Sequence, residues 1–131
     1  MRASSPRFYD RPVRYEMDTY QPYAASRVVT IDELPGLYTS DHEPVFSYGS
    51  GGEDVLIVSV HDEFSTVSLL HDRTWYWLEE SPDSDLVEIV LCGQEAWIPA
   101  GAMVRRETGL AALLLAHNVP RLMTEFMWRE Q

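Results

Sequence analysis

Lysine is absent from all 131 residues, and each of the ten basic side chains is an arginine. From Val28 to the C-terminus five Arg face eighteen Asp and Glu, a net charge of −13. A body of that sign repels phosphate and attracts basic protein surfaces, which argues against a nucleic-acid ligand and for a basic protein partner. Cysteine is nearly absent. Cys92 alone cannot close an internal disulfide, so the fold does not depend on an oxidising compartment. Long apolar runs are also lacking: none approaches the roughly 20 residues that span a bilayer, and the N-terminal arginines precede no run of signal length. The sequence therefore predicts a cytoplasmic protein with no membrane partner. No GxGxxG, P-loop, HExxH, GxSxG or EF-hand pattern occurs, which leaves an enzyme reading without an anchor and calls for no cofactor.

What is present is apolar and aromatic. With 45% hydrophobic residues, four Trp, seven Tyr and four Phe, the chain suits one domain of ordinary size with an aromatic-rich core, and the disordered class is excluded. Residues 1–27 run the other way in charge, at +2, and mix Arg, Pro, Tyr and Ser with no period of 2 or 3.6. They read as an extension that packs on its own acidic body, and residues 28–131 as a single domain.

Thr30-Ile31-Asp32-Glu33 has capping-box spacing, and Pro35 and Gly36 limit the helix that follows to about Ser40. The period then changes. Val45–Tyr48, Val55–His61, Thr66–His71, Thr74–Leu78 and Leu86–Leu91 are short β-branched and aromatic runs parted by turn residues, which predicts an antiparallel meander. Val67 and Leu69 alternate with Thr66 and Ser68, and Val87, Ile89 and Leu91 flank Glu88, so one sheet face is expected to be buried and the other wet. A helix is expected from Thr108 through His117, with Asn118 as its C-terminal cap and Pro120 preventing its continuation, then a last strand over Leu122–Arg129. The expected fold is α+β: an antiparallel sheet of about five or six strands with two helices packed on one face.

Several constellations carry candidate chemistry. His61-Asp62-Glu63 and His71-Asp72 contain metal-competent side chains, but they sit beside turns and supply four ligands to one point only if the two segments converge; solvated turn residues are the simpler reading. Cys92 follows an apolar strand with no His near it in sequence, and a nucleophilic thiol needs an adjacent base or positive field. No catalytic or metal residue is therefore assigned. What remains is a surface. Trp75 and Trp77 share one strand, and Glu79, Glu80, Asp83 and Asp85 follow at once, with Asp62 and Glu63 at a neighbouring turn. Aromatic anchors beside concentrated like charge suit a steered protein interface, so these eight residues are the expected partner-binding set.

Ala96-Trp97-Ile98-Pro99, Met103-Val104-Arg105-Arg106-Glu107, Ala111–Leu114, Pro120 and the closing Phe126-Met127-Trp128 together resemble the ending of the immunity protein 1 family of bacterial polymorphic toxin systems. Val55–Val60 and Thr66–Leu70 resemble its central hairpin, so the likeness covers roughly residues 45–128. It is a pattern of apolar, Pro and Trp positions without a catalytic signature. The resemblance implies a non-enzymatic protein that binds a toxin domain, often a nucleic-acid deaminase, in the cytoplasm and blocks its active site. A monomer in a 1:1 complex with a basic toxin domain is the expected assembly. Two other readings stand beside it: a small metal- or thiol-dependent enzyme using His61, His71 and Asp72 or Cys92, and a generic acidic adaptor or DNA-mimic domain.

Overall fold

β-Branched and aromatic residues set the strands of the computed structural model, which describes residues 14–20, 23–39, 41–49 and 53–131. β1 (Tyr15–Thr19) and β2 (Ala25–Val29) come first, then a 3-10 turn (Ile31–Glu33) and the short α1 (Leu34–Leu37). Five strands follow: β3 (Val45–Tyr48), β4 (Val55–Val60), β5 (Ser65–His71), β6 (Thr74–Glu79) and β7 (Leu86–Leu91). The chain continues through β8 (Gln94–Pro99), a second 3-10 turn (Ala100–Ala102), α2 (Arg106–Leu114), α3 (Val119–Glu125) and β9 (Met127–Glu130). The domain is α+β. Its main sheet is antiparallel and has seven strands in the order β2-β1-β3-β4-β5-β6-β9, rather than five or six, and β7 pairs with β8 in a separate two-stranded sheet.

The extra strands of the main sheet are β1 and β2. β1 and β2 fall in the Arg/Tyr/Pro stretch expected to be an extension, where exposed edge-strand residues leave no alternation to read; β1 nevertheless aligns Tyr15 with Tyr48 and Met17 with Phe46 on β3. Residues 1–13 and 21–22 lie outside the described residues, and with them most of that expected extension. The expected last strand is present as β9 but is shorter than Leu122–Arg129, because α3 occupies 119–125. The reason is local: Asn118 caps the start of a helix rather than the end of one, its Oδ1 accepting the Arg121 N–H at 3.2 Å, and Pro120 sits in the first turn, where its missing N–H costs nothing.

One face of the sheet carries the principal core. Phe46, Leu56, Val58, Val67, Leu69 and Leu78 project there, and Leu34, Ala112, Leu113 and Leu122 from the three helices belong to the same buried cluster. Tyr15 fastens α2 to β1 by donating its hydroxyl to the Leu113 carbonyl at 2.7 Å; burial, with Tyr48 adding a smaller effect, pushes its pKa up to about 12. Gly109 on α2 faces Tyr38 and Ser65, whose hydroxyls lie 2.5 Å apart.

The opposite face is not left wet. β7 and β8 are joined by Cys92-Gly93, both at positive φ, the two-residue turn whose twist matches that of its strands. Ile89 and Ile98 of this hairpin form a second buried cluster with Ala102, against which Phe64, Trp77, Val87 and Leu91 pack. The hairpin thus closes over Trp77 on the sheet face opposite the principal core.

Candidate protein-docking surface

Alternation along β7 and β8 divides the hairpin into two faces. Val87 opposite Ile98, and Ile89 opposite Ala96, turn toward the sheet; Leu86 opposite Pro99, Glu88 opposite Trp97, and Val90 opposite Glu95 turn outward. The outward face is apolar where solvent favours polar groups: Trp97 and Leu86 are each 63% exposed and Val90 is 50% exposed. Two carboxylates, Glu88 and Glu95, stand among them without an ion-pair partner among the described residues. Between Arg73 and Arg105 the chain has six acids and no base, so nothing on the hairpin itself neutralises this face.

The residues expected from sequence to bind a partner are distributed differently. Trp77 is packed beneath the hairpin, while Trp75, on the same sheet face, is 38% exposed. Between them and Leu91 lies a cavity of about 300 Å³. Glu79 is held inside the fold by Arg129, at 2.6 Å from Nε to Oε2. Glu80 serves α2: Oε1 accepts the Arg105 backbone N–H at 2.5 Å, and Oε2 accepts the Arg105 Nε–H at 3.0 Å and the Thr108 hydroxyl at 2.9 Å. Asp83 and Asp85 keep their side chains at the surface, in a loop tied by backbone bonds to Ala100 and Gly101. Asp62 and Glu63 lie at the turn between β4 and β5, along the free side of β7 and near Glu88. The acid run therefore splits into two structural carboxylates and two surface ones.

Burial alone would raise the Glu80 pKa, but the bonds from Arg105 and Thr108 outweigh it and hold the carboxyl below its ordinary range. A carboxyl lowered in the folded state contributes stability above its ordinary pKa and loses it as pH falls through the lowered value. The stability difference between the native chain and Glu80→Gln, measured by thermal unfolding across pH, is accordingly expected to be largest near neutrality and to shrink in acid. A constant difference across that range would contradict the assignment.

The chemical alternatives can be placed as well. His71 Nδ1 lies 3.0 Å from Asp54 Oδ1, away from His61, and among the described residues no group of three or more His, Cys, Asp or Glu side chains is positioned to hold a metal ion. Cys92 and His61 do line one cavity, of about 130 Å³. Burial pushes the Cys92 thiol up, away from the thiolate that a nucleophile needs, with Tyr20 opposing and Asp18 adding to that effect. Among the described residues no helix is long and apolar enough to cross a membrane.

Sequence reasoning missed Trp97, Leu86 and Val90. Two of the three were visible: Leu86 and Val90 flank Glu88 at spacing two, which places apolar side chains on the face that Glu88 marks as wet. Trp97 could not be assigned a face until Gln94–Pro99 was known to be a strand.

No protein-family model matches the chain, and no curated protein does.

Proposed function

We propose that this protein is an immunity protein, a stoichiometric binder that docks the outer face of its β7–β8 hairpin on a basic toxin domain and occludes that domain's active site. The observation that carries this reading is the hairpin face left uncovered among the described residues, where Trp97, Leu86 and Val90 are exposed among Glu88 and Glu95. An exposed Trp flanked by aliphatic side chains provides the desolvated centre of an interface, and the surrounding carboxylates raise the encounter rate with a cationic surface. A toxin that acts on nucleic acid, a deaminase or a nuclease, presents such a basic groove. The immunity-family resemblance supports the same role independently of the hairpin geometry.

The complex is a 1:1 assembly in the cytoplasm of the cell that makes the toxin. Binding needs no turnover and no cofactor. The Asp83–Asp85 loop, with Asp62 and Glu63, extends the negative surface beyond the hairpin and steers the partner toward it.

The experiment first reads the genes beside this one for a basic toxin domain, then mixes that domain, produced separately, with the purified protein in a stopped-flow instrument. Association is expected to slow steeply as salt rises from low to physiological, while dissociation changes little. Glu88→Lys with Glu95→Lys should lower the association rate by about tenfold or more at low salt and flatten its salt dependence. A native rate that is independent of salt would remove electrostatic steering from the reading.

A further inference from the structure

The sheet face that the hairpin crosses carries small hydroxyls at its centre. Along β4 and β5, Val58 and Val67 point into the principal core, so Ser59 and its cross-strand partner Thr66 point the other way, as do Ile57 and its partner Ser68. β6 sets Trp77 beside Ser68 on that face, with Trp75 two residues before it. Leu91 of the hairpin closes the space from the other side, and the cavity of about 300 Å³ lies between these two layers.

Ser59 and Thr66 are only 3% and 2% exposed, and they form the floor of the cavity. Neither hydroxyl has a hydrogen-bond partner among the described residues, whereas Ser68 accepts from Gln131 Nε2 at 3.3 Å. Nor are they sealed away: the unpaired side-chain atoms that the fold shuts off from solvent, among the described residues, are His61 Nε2 and Arg106 Nε. Ser59 also borders the smaller cavity beside His61, but Thr66 lines this one alone. A polar side chain buried this deeply and left unpaired is costly, and a ligand that supplies the missing partner relieves the cost.

The rest of the lining narrows the ligand. No residue that carries charge lines the cavity, so an ion held there would lose its hydration without gaining a counter-charge. Trp77 is packed beneath the hairpin, while Trp75 is partly exposed and stands at the mouth with Cys92. Indole rings attract a planar ring set offset or edge-on to them. An apolar cavity of about 150 Å³ is enough for benzene, so this one admits a substituted or fused ring. A sugar would bring a hydroxyl on almost every carbon to walls that offer few free partners.

We propose that this cavity binds an uncharged aromatic small molecule of the phenol or indole class, its ring against Trp75 and Trp77 and its O–H or N–H bonded to the Thr66 hydroxyl. The ring is enclosed between sheet and hairpin, which suits a free molecule rather than a side chain on another protein. The cavity lies on the sheet side of the hairpin, away from the outward Trp97, so its ligand does not depend on the identity of a docking partner.

The full chain, labelled for NMR, is titrated with p-cresol, with indole, with toluene, which lacks the polar group, and with benzoate, which is charged. Saturable shifts of the Trp75 and Trp77 indole N–H signals and of the Thr66 methyl are expected at about millimolar p-cresol or indole. Toluene is expected to bind about fivefold more weakly or worse, and benzoate not at all. Thr66→Val keeps the branched shape of a strand residue and removes a hydroxyl that bonds nothing within the fold; it is expected to weaken p-cresol about tenfold and to leave toluene unchanged. Should that variant not fold, Ser59→Ala is the substitute, with a severalfold loss expected. Acetyl-Gly-Tyr-Gly-amide presents the same phenol on a peptide, and binding as tight as that of p-cresol would overturn the assignment to a free molecule. Equal binding of toluene and p-cresol, p-cresol binding unaffected in Thr66→Val, shifts confined to other surfaces, or no saturable shift, the mark of a cavity that holds only water, would each overturn the proposal.

Discussion

Trp97→Ala is expected, on the proposed docking of the hairpin face, to weaken the complex with a basic toxin domain by about 30- to 1,000-fold, the range of a central aromatic anchor. Thermal stability should barely change. The indole is 63% exposed and stands opposite Glu88 on the outer hairpin face, so truncating it opens no core cavity, and a surface change of this kind falls within about 0.5 kcal/mol. Trp77 provides the contrast. It packs beneath the same hairpin with Ile89 and Ile98, so Trp77→Ala is expected to cost about 3 kcal/mol of stability and to affect binding only through the fold. Calorimetric titration of both variants, with unfolding measured in parallel, separates the two roles. If Trp97→Ala left affinity unchanged, the hairpin face would not be the docking surface.

Gly101→Ala is expected to be among the most damaging single-methyl additions, at about 3 kcal/mol or more. A Cβ at this position would lie 2.1 Å from the Ser81 carbonyl oxygen and 3.1 Å from that of Asp83, and both obstacles are backbone that cannot swing aside. The close approach exists because three backbone bonds join the strands here: Glu80 N–H to the Gly101 carbonyl at 3.0 Å, Gly101 N–H to Asp83 at 2.9 Å and Ala100 N–H to Asp85 at 2.7 Å. Those bonds fix where the hairpin leaves β6 and where it returns toward α2. The substitution should therefore loosen the whole hairpin and lower toxin affinity together with stability, and urea unfolding should show the midpoint falling. An unchanged midpoint would mean that the loop relaxes freely and that the hairpin is not held in this way.

The central strands were legible because their composition and alternation agree. Val45–Tyr48 and Leu86–Leu91 have the bounds read from sequence, and β4, β5 and β6 differ from theirs by a residue at one end. The capping box at Thr30 was also legible, with the Thr30 N–H donating to Glu33 Oε1 at 2.9 Å. What could not be read was pairing. Nothing local distinguishes a seventh sheet strand from a free hairpin, so β7 looked like the next strand of the meander, whereas β9 holds the place beside β6. The helix at Val119–Glu125 was hidden for a related reason: Asn118 and Pro120 fit the end of one helix as well as the start of another, and alternation over Leu122–Trp128 resembles a strand.

The candidate site shows the same division between local and non-local information. Composition located the acid excess correctly, because charge is additive and needs no coordinates. It could not tell which acids the fold consumes. Glu79 and Glu80 are engaged by Arg129 and Arg105, residues 50 and 25 positions away in sequence, while Glu88 and Glu95 remain on the surface. The Trp residues divide likewise: the hairpin, which belongs to a separate sheet, covers Trp77 and presents Trp97 instead.

The most direct measurement of the proposed function is a titration of a basic toxin domain's activity on nucleic acid, the domain being taken from a gene beside this one where such a gene is found, with increasing amounts of this protein. If the protein is a stoichiometric occluder, activity should fall linearly to zero at one equivalent and stay there, with neither polypeptide chemically altered. Inhibition at a small fraction of an equivalent would reveal catalysis, and full activity in molar excess would show that this acidic hairpin does not capture the toxin.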